Sequence, residues 1–316
     1  MSDTHLVIFS RGRVGKQRTL SYLPDSLKRN DLTFVCPKSE MQDHRKQDYA
    51  KGLNIVPWKD GVHLADKRLG VAKYLDKQGV KQFLYMDDDV ALSTWMHKEK
   101  TFRSTRLLKD DGEQVTRVLL KHTDRMFKEY IGVGYGCLSM QARMDAIKNN
   151  ILKVENKKMC CMFGYRTKEF LALVDHPRFA SMWGIDTTWN LEMMTKGHNI
   201  VTDYSIAWTT DFKSTVGGAA SYRTKPAVAH SFLRMMLLHP GLISRGRDGV
   251  HVHSFLRISW KDIPNFGGRK LSTKGANNFF AELKHQNTNP KEFLRGCPSD
   301  SREWYAKRIE KLGTLL

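Results

Sequence analysis

The chain has 316 residues, a length that suits one large domain or two small ones. Its hydrophobic content of 41% is typical of a globular protein, and no apolar run in the sequence approaches the roughly 18–20 residues that a membrane span needs. The net charge of +19 favours a polyanionic partner, most often nucleic acid, over an anionic membrane surface or a merely solubilising one.

The cysteines show neither a disulfide framework nor a metal-binding spacing. Their number is odd, and no pair is spaced as zinc ligands are. The first residues also lack the basic and then apolar layout of a signal peptide. We therefore expect reduced thiols and a cytoplasmic location. The cysteines are Cys36, Cys137, Cys160, Cys161 and Cys297.

The first ninety or so residues alternate between strand and helix signals. The apolar run 6–9 predicts a buried strand, which leads into a glycine-rich basic loop at 10–16. Further strands are predicted at 32–36 and 53–56. A helix is predicted at 62–78, with a glycine at the position that ends it. With its short connections, this alternation predicts half of a doubly wound α/β sheet.

The next predicted strand ends in three consecutive carboxylates. An apolar run at 83–86 is followed directly by Asp87, Asp88 and Asp89. Like charges this close repel, and burying them is costly unless a cation compensates. Acidic triplets are usually solvated turns or helix caps, but a place at the end of a buried strand favours a divalent metal, since α/β folds bind ligands at that edge. Nucleases, polymerases, phosphatases and glycosyltransferases all use such sites.

Beyond the acidic turn, the sequence predicts a polar, basic and mobile loop over 96–111 and then a helix over 113–130. A second half of the fold begins near 131–136, and another strand is predicted at 159–165. No linker, internal repeat or low-complexity tract divides the sequence. We therefore expect a single domain over 1–316 with a C-terminal extension.

Arg11 and Arg13 follow the first predicted strand directly. In a doubly wound sheet, that position faces the same crevice as the acidic turn. Guanidinium groups pair bidentately with phosphate, and nearby glycines would let backbone N–H groups approach, so a nucleoside diphosphate would satisfy both the arginines and a metal. The spacing of Gly12, Gly15 and Lys16 matches neither a Walker A loop nor a dinucleotide fingerprint. An ordinary basic turn is the alternative.

Arg68 lies on the apolar stripe of its predicted helix, four residues after Leu64 and three before Val71. An arginine that faces inward must contact an anion or extend its guanidinium to water. Extension to water is the commoner outcome, and a phosphate or ribose in the crevice is the functional alternative.

Asp186 is the candidate catalytic carboxylate. It precedes a helix predicted at 187–196, and a role as its N-cap would explain the residue fully. Because Trp183 and Trp189 flank it, Asp186 could also act as a general base toward an acceptor hydroxyl. The two rings could stack on a sugar or on an unstacked base.

His251 and His253 alternate within an apolar segment, so in a strand both would point to one face. Imidazole beside carboxylate is an acceptable ligand set for manganese. An isolated histidine is more often structural, and His230 is a weaker candidate.

The order of these features resembles the nucleotide-sugar-dependent glycosyltransferases of the GT-A fold, over roughly residues 5–210. The resemblance implies a Rossmann-like, mostly parallel central sheet flanked by helices. It also implies a nucleotide-sugar-binding half at 1–95, an acceptor half at 131–260 and a C-terminal extension at 261–316. The features that carry it are Ser10-Arg11-Gly12-Arg13 after a strand, Arg68 on a helix, Asp87-Asp88-Asp89 at a strand end, and Gly184-Ile185-Asp186 before a helix that Gly197 ends.

In that family an Asp-x-Asp motif binds the divalent metal and the ribose and diphosphate of the donor. By resemblance, Asp87 and Asp89 would hold Mn²⁺ or Mg²⁺, with His253 or His251 completing the metal shell. Asp186 would be the catalytic base, although the chain matches only the second residue of the family's Glu-Asp pair. The residues that would bind the donor are Ser10, Arg11, Arg13, Arg68, Asp87 and Asp88.

Within that fold, the Ser-Arg-Gly-Arg opening and the basic charge are similar to phage DNA-modifying glycosyltransferases. The resemblance implies transfer from a UDP-sugar to the hydroxymethyl group of modified cytosine in double-stranded DNA, in the host cytoplasm if a phage encodes the protein. That group lies on the major-groove edge, so base flipping is not obligatory. The sugar, inversion or retention, and the oligomeric state stay open. The residues expected to contact DNA are Lys98, Lys100, Arg103, Arg106, Arg223, Lys225, Arg245 and Arg247.

Three other functions compete with this one. A transferase of the same fold could act on a cell-surface glycan. A metal-dependent nuclease or nucleotidyltransferase would need a second carboxylate cluster near the first, and the sequence places none there. A non-catalytic DNA-binding protein would use the aspartates structurally.

Overall fold

The computed structural model describes residues 2–23, 25, 27, 31–96, 101–104, 112–137, 153–156, 159, 162–209, 224–246, 256–258, 263 and 271–316. The chain divides into two compact units. The first comprises Met1–Val62, Gly70–Leu171 and Asn199–Ser221, and the second comprises His63–Leu69, Ala172–His198 and Tyr222–Leu316.

A mixed sheet forms the core of the first unit. Its strands are β1 (Thr4–Phe9), β2 (Leu32–Pro37), β3 (Asn54–Trp58), β4 (Gln82–Asp87), β5 (Ala91–Met96), β6 (Thr101–Ser104), β7 (Gly132–Cys137), β8 (Lys153–Glu155), β9 (Met162–Arg166) and β10 (Ile200–Thr209). Within the described part of the chain the strand order is β3-β2-β1-β4-β9-β7-β10-β5-β6, and β8 pairs with β10.

The sheet combines a parallel half with antiparallel insertions. Strands β3, β2, β1 and β4 pair in parallel, as do β7 and β10. Strand β9 is antiparallel to both of its neighbours, β4 and β7, and β5, β6 and β8 also pair antiparallel. The sheet is therefore mixed, with more antiparallel pairing than the sequence led us to expect. Strand β2 is buried along its whole length, as its continuous apolar run predicts.

The predicted α/β class, with a central sheet flanked by helices, is confirmed. Helix α3 (Gly112–Phe127) packs against β1 and β7. Helix α2 (Leu64–Lys77) is terminated by Gly79 as predicted, and the φ of +75° at Gly79 is the left-handed conformation that glycine adopts most easily. The helices are α1 (Met41–Arg45), α2 (Leu64–Lys77), α3 (Gly112–Phe127), α4 (Thr167–Val174), α5 (Ile185–Thr195), α6 (Lys225–Leu238), α7 (Thr273–His285), α8 (Pro290–Arg295) and α9 (Ser299–Gly313).

One predicted loop is wrong where the structure describes it. In the stretch 96–111, β6 (Thr101–Ser104) pairs antiparallel with β5 (Ala91–Met96). Antiparallel strands often carry polar residues at alternate positions, so a polar and basic composition does not exclude a strand. The long strand β10 was also not predicted, although its burial is high.

The second unit is mainly helical. Helices α6, α7 and α9 pack on one another, and a short antiparallel hairpin joins β11 (Ile243–Arg245) and β12 (Leu256–Ile258). Its aromatic core includes Phe279, Phe293 and Tyr305, and the ring centroid of Phe293 lies 5.9 Å from that of Phe279 and 6.0 Å from that of Tyr305. Helices α7, α8 and α9 lie in the predicted C-terminal extension, whereas α6 lies in the stretch that was assigned to the acceptor half.

Candidate active site

The opening loop and the acidic turn meet at one edge of the sheet. Phe9, at the end of β1, pairs in register with Asp87, at the end of β4. Ser10 and the loop that follows it therefore lie beside Asp88 and the rest of the acidic turn. Because the carboxyl ends of parallel strands share an edge, this meeting follows from the strand assignments.

Asp88 is the buried centre of the site, with only 3% of its surface exposed. Its carboxylate accepts a hydrogen bond from Ser10 Oγ at 2.6 Å and another from Arg13 Nη1. Gln17 Nε2 donates to Ser10 Oγ at 2.7 Å. Burial raises the pKa of the Asp88 carboxyl, although the bonds from Ser10 and Arg13 act in the opposite direction. Both carboxylate oxygens of Asp88 are thus bonded within the protein.

Arg13 supplies the positive charge of this cluster. Its Nη1 lies 3.1 Å from Asp89 Oδ2, in addition to its bond with Asp88. Burial would lower the pKa of Arg13, but the charges of Asp88 and Asp89 outweigh it and raise that pKa. The sequence led us to expect a metal that compensates the aspartates, and the structure shows that an arginine already compensates part of their charge.

Thr19 fixes the backbone of the acidic turn. Its N–H donates to the carbonyl of Asp88 at 3.0 Å, and its Oγ1 donates to the carbonyl of Asp87 at 2.7 Å and accepts from Val90 N–H at 3.0 Å. Its side chain is fully buried. Thr19 and Gln17 were not predicted, because a single polar residue in a loop carries no motif. The only available signal was their closeness in sequence to the basic loop.

The glycine N–H groups of the opening loop contact other side chains of the protein. Gly12 N–H donates to Glu40 Oε2 at 2.8 Å, and Gly15 N–H contacts Tyr49 Oη at 3.4 Å. His44 Nδ1 lies 2.6 Å from Tyr49 Oη, and burial lowers the pKa of His44 although Glu40 acts in the opposite direction. The Gly12 N–H is thus already bonded within the protein, and an approach of these glycine N–H groups to a phosphate stays a prediction. The arginine side chains remain the candidates for that role.

Arg11 and Arg68 lie on the elements to which the sequence assigned them. Arg11 is half-buried in the loop after β1. Arg68 faces inward on α2, with 5% of its surface exposed, while Val71 and Leu75 on the same stripe are fully buried. So little exposure argues against the predicted extension of the Arg68 guanidinium to water.

Asp186 belongs to the second unit and lies in the first turn of α5. The predicted N-cap role is wrong, because α5 begins at Ile185 and its N-cap is Gly184, whose φ of +73° is left-handed. Asp186 therefore lies inside the helix and is half-buried. Its negative charge is favourable at this end of the helix dipole, and a role as a helix cap no longer explains it.

The tryptophans beside Asp186 are part of the protein interior. Trp183 is 7% exposed and Trp189 is 1% exposed. The ring of His63 packs on Trp183 in a T-shaped arrangement with centroids 4.4 Å apart. The predicted stacking of both rings on a sugar or base is therefore wrong for the conformation that the structure shows.

Most of the remaining predicted residues lie outside the described residues. They are His251, His253, Lys98, Lys100, Arg106, Arg223 and Arg247. In the parts of the chain that are described, no group of three or more His, Cys, Asp or Glu side chains could hold a metal ion. The histidine ligands therefore stay predictions.

Three predicted DNA contacts are described. Arg103 lies in β6, opposite Thr94 of β5. Lys225 is exposed at the first residue of α6. Arg245 forms a forked ion pair with the buried carboxylate of Glu282, at 2.8 Å from Nε and 2.7 Å from Nη2. Because this ion pair neutralises the charge that a phosphate contact would need, the predicted DNA contact of Arg245 is not supported.

A family model described as TET-Associated Glycosyltransferase matches residues 4–218, which is more than half of the chain. The chain belongs to this family. The predicted enzyme class, a glycosyltransferase, is thereby confirmed. The matched segment contains the opening loop, the acidic turn and Asp186, and it ends before α6. The donor-binding and catalytic roles of these residues stay predictions.

Solved structures of low similarity also resemble the chain. The mannose-1-phosphate geranyltransferase from Thermus thermophilus is 10% identical, with 65% of this chain and 75% of that chain covered and a TM-score of 0.39. GalNAc-T7, solved with UDP, GalNAc and Mn²⁺, is 10% identical, with 99% of this chain and 57% of that chain covered and a TM-score of 0.43. No protein with a curated description matches the chain.

Two further features bear on the predicted setting. Of the helices that the structure describes, none combines the length and the apolar character of a membrane span. Cys36 and Cys297 are buried and form no disulfide in the structure. Burial raises the pKa of Cys297 to about 11, so this thiol stays protonated and unreactive at neutral pH.

Proposed function

We propose that this enzyme transfers a sugar from a UDP-sugar to the hydroxymethyl group of hydroxymethylated cytosine in double-stranded DNA. The observation that carries the donor side is the contact of Arg13 with both Asp88 and Asp89 at the carboxyl edge of the sheet. The acceptor side is supported by the net charge of +19 and by a family description that names TET. The sequence resemblance to DNA-modifying glycosyltransferases points the same way.

The acidic turn fits a divalent cation in its charge and in its donor atoms. The negative charges of Asp87, Asp88 and Asp89 all raise the pKa of Arg13, so the three carboxylates lie close to one another. Carboxylate oxygens are the ligands that Mg²⁺ and Mn²⁺ prefer. Since Ser10 and Arg13 already bond both oxygens of Asp88, we assign the metal to Asp87 and Asp89. A divalent cation held there would stabilise the negative charge of a departing diphosphate.

The protein's own residues would bind and orient the donor. Arg13 and Arg11 offer guanidinium groups to the diphosphate, and Arg13 is held for this by Asp88. Ser10 and Gln17 keep Asp88 in place, so they position the arginine and need not touch the donor. This revises the predicted roles of Ser10 and Asp88 from donor contacts to positioning residues.

Asp186 would take the proton from the hydroxymethyl oxygen as that oxygen attacks the anomeric carbon. The C–O bond to the sugar forms, the bond from the sugar to the UDP oxygen breaks, and UDP departs with the electron pair. Half-burial in the first turn of α5 keeps the carboxylate accessible to an acceptor. An Asp186→Asn variant, which keeps the shape of the side chain and removes its basicity, tests this role.

Mass spectrometry of nucleosides tests the proposed function. Hydroxymethylated duplex DNA is incubated with the enzyme, Mn²⁺ and a panel of UDP-sugars, and matched duplexes with cytosine or 5-methylcytosine serve as controls. We expect a hexose or pentose adduct on hydroxymethylcytosine only, and none with Asp186→Asn, which should still bind UDP. Modification of a glycan acceptor with no adduct on DNA would replace this proposal with a glycan-directed transferase.

A further inference from the structure

The loop at 177–183, which leads into Asp186, is held in a strained conformation. Ser181 has a φ of +50°, a left-handed value that residues other than glycine adopt rarely. Its N–H donates to Asp66 Oδ1 at 2.8 Å, and its Oγ donates to Asp66 Oδ2 at 2.6 Å. At the end of the loop, Trp183 N–H donates to Ser231 Oγ at 3.0 Å. Such strain persists only where surrounding contacts determine it.

Arg234 supplies the largest set of these contacts. It lies on α6 and is 1% exposed. Its guanidinium donates to the backbone carbonyls of Ser181 at 3.2 Å, Arg178 at 3.0 Å and Ala180 at 2.7 Å. A buried guanidinium is costly unless its donors are satisfied, and here the loop carbonyls satisfy them.

Tyr305 completes the arrangement. Its hydroxyl accepts from Arg234 Nε at 3.1 Å and donates to the carbonyl of Arg178 at 2.7 Å. Burial raises the pKa of Tyr305 to about 12, so the hydroxyl stays protonated and can act as this donor. The same loop is also tied to α5, because the Arg178 side chain lies 3.5 Å from the buried carboxylate of Glu192.

The forked shape of the guanidinium explains why residue 234 is an arginine. Three carbonyls from a strained loop converge on one planar group with several fixed donors. A lysine ammonium would offer three rotatable donors from a single point and could not span the same acceptors. The loop continues directly through Gly184 into the helix that carries Asp186. A shift of the loop therefore becomes a shift of that carboxylate.

We propose that Arg234 is a positioning residue of the transfer reaction, which fixes the 177–183 loop and through it the place of Asp186. This inference rests on the proposed role of Asp186 as the general base. Arg234 lies outside the segment that the family model matches, so the positioning would come from the C-terminal part of this chain.

Arg234→Lys and Tyr305→Phe test the proposal. A displacement of about 1 Å in a catalytic group can cost about 100-fold in rate. We expect kcat for transfer to hydroxymethylated DNA to fall by about 100-fold in Arg234→Lys and by less in Tyr305→Phe, with UDP affinity unchanged. Hydrogen exchange should accelerate at Ser181 and Trp183, whose N–H groups are bonded in the native loop.

Arg302→Lys is the matched control. Arg302 also donates to backbone carbonyls, at Leu294 and Cys297, but not to the loop. We expect wild-type kcat and wild-type exchange in the loop from this variant. If Arg234→Lys does not fold, Asp66→Ala replaces it, because Asp66 is half-buried at the surface and bonds the same loop.

The two readouts separate this inference from the proposed function. Faster loop exchange with unchanged kcat would overturn the positioning role, as would equal losses of kcat and UDP affinity. If the wild-type enzyme transfers nothing to hydroxymethylated DNA, the proposed acceptor fails. Hydrolysis of the UDP-sugar, with water in the place of the acceptor, then gives the same comparison between Arg234→Lys and Arg302→Lys.

Discussion

Arg13 Nη1 lies 3.1 Å from Asp89 Oδ2 and bonds Asp88 at the same time. One guanidinium thus bridges two neighbouring carboxylates at the end of β4. A donor diphosphate would compete with Asp89 for this guanidinium, and a metal would compete with the guanidinium for Asp89. Arg13 therefore neutralises part of the negative charge of the acidic turn before a donor binds.

Replacing Arg13 should affect the nucleotide and the metal in opposite directions. In Arg13→Gln, we expect UDP affinity to fall by about 10- to 100-fold, because a charge-assisted contact to phosphate is lost. Mn²⁺ affinity without nucleotide should rise, because Asp89 is released. Titration calorimetry with UDP and with Mn²⁺ measures both. Lys16→Gln removes the same charge from an exposed position in the same loop and should change neither constant by much.

Ser10→Ala should destabilise the protein through Asp88. The substitution removes the hydroxyl that donates to this buried carboxylate at 2.6 Å. We expect the free energy of unfolding to fall by about 1–3 kcal/mol, the usual cost of an unsatisfied buried group. Urea denaturation provides the measurement. Ser21→Ala removes an exposed hydroxyl that donates to the carbonyl of Arg18 and should cost less than about 0.5 kcal/mol. Equal losses from the two variants would contradict the central place of Asp88.

Asp203 should give the stability a defined pH dependence. Burial would raise the pKa of this carboxyl, but bonds from His122 at 2.8 Å and from Ser205 outweigh it and lower the pKa below its usual 3.8. A group whose folded pKa is lowered stabilises the fold above its unfolded pKa, and this stabilisation is lost as the pH falls through the folded pKa. We expect Asp203→Asn to be less stable than wild type at pH 7. Below about pH 4 the gap should shrink. A gap that stays constant from about pH 7 to about pH 3 would show that the charge of Asp203 contributes nothing.

Two basic residues of the second unit should behave differently toward DNA. Lys225 is exposed, so Lys225→Gln should weaken DNA binding and reduce the salt dependence of log K by about one unit if the lysine contacts a phosphate. Arg245 is paired with buried Glu282, so Arg245→Gln should leave the salt dependence unchanged. It should instead destabilise the fold by about 3 kcal/mol, because the buried carboxylate of Glu282 loses its charged partner and keeps the hydrogen bond from Gln286. Fluorescence anisotropy over a range of salt concentrations distinguishes the two.

The edge of the sheet was predictable because strand direction and strand ends can be read locally. An apolar run that stops at Asp87 and another that stops before Ser10 are enough to bring the acidic turn and Arg13 together. The contacts that hold them were not predictable. Gln17 and Thr19 form hydrogen bonds with residues about seventy positions later in the sequence. Local sequence patterns do not predict contacts over so large a separation.

The surroundings of Asp186 show a different limit. The sequence favoured Asp186 as the N-cap because aspartate is common there, whereas the left-handed Gly184 takes that position. Arg234 carried no signal either, since an arginine on an apolar helix usually extends to water. Its acceptors are backbone carbonyls more than fifty residues earlier. Because every residue has a backbone carbonyl, the sequence does not indicate which of them accept a hydrogen bond.

UDP titration of Asp87→Asn and Asp89→Asn, with Mn²⁺ and then with a chelator, tests the donor site most directly. We expect wild-type enzyme to bind UDP in Mn²⁺ and to lose at least about 90% of that affinity on chelation, which is the tenfold change that about 1.4 kcal/mol gives. Each variant should bind weakly in both conditions. Unchanged UDP affinity in both variants would contradict the account, because the acidic turn would then have no part in holding the donor.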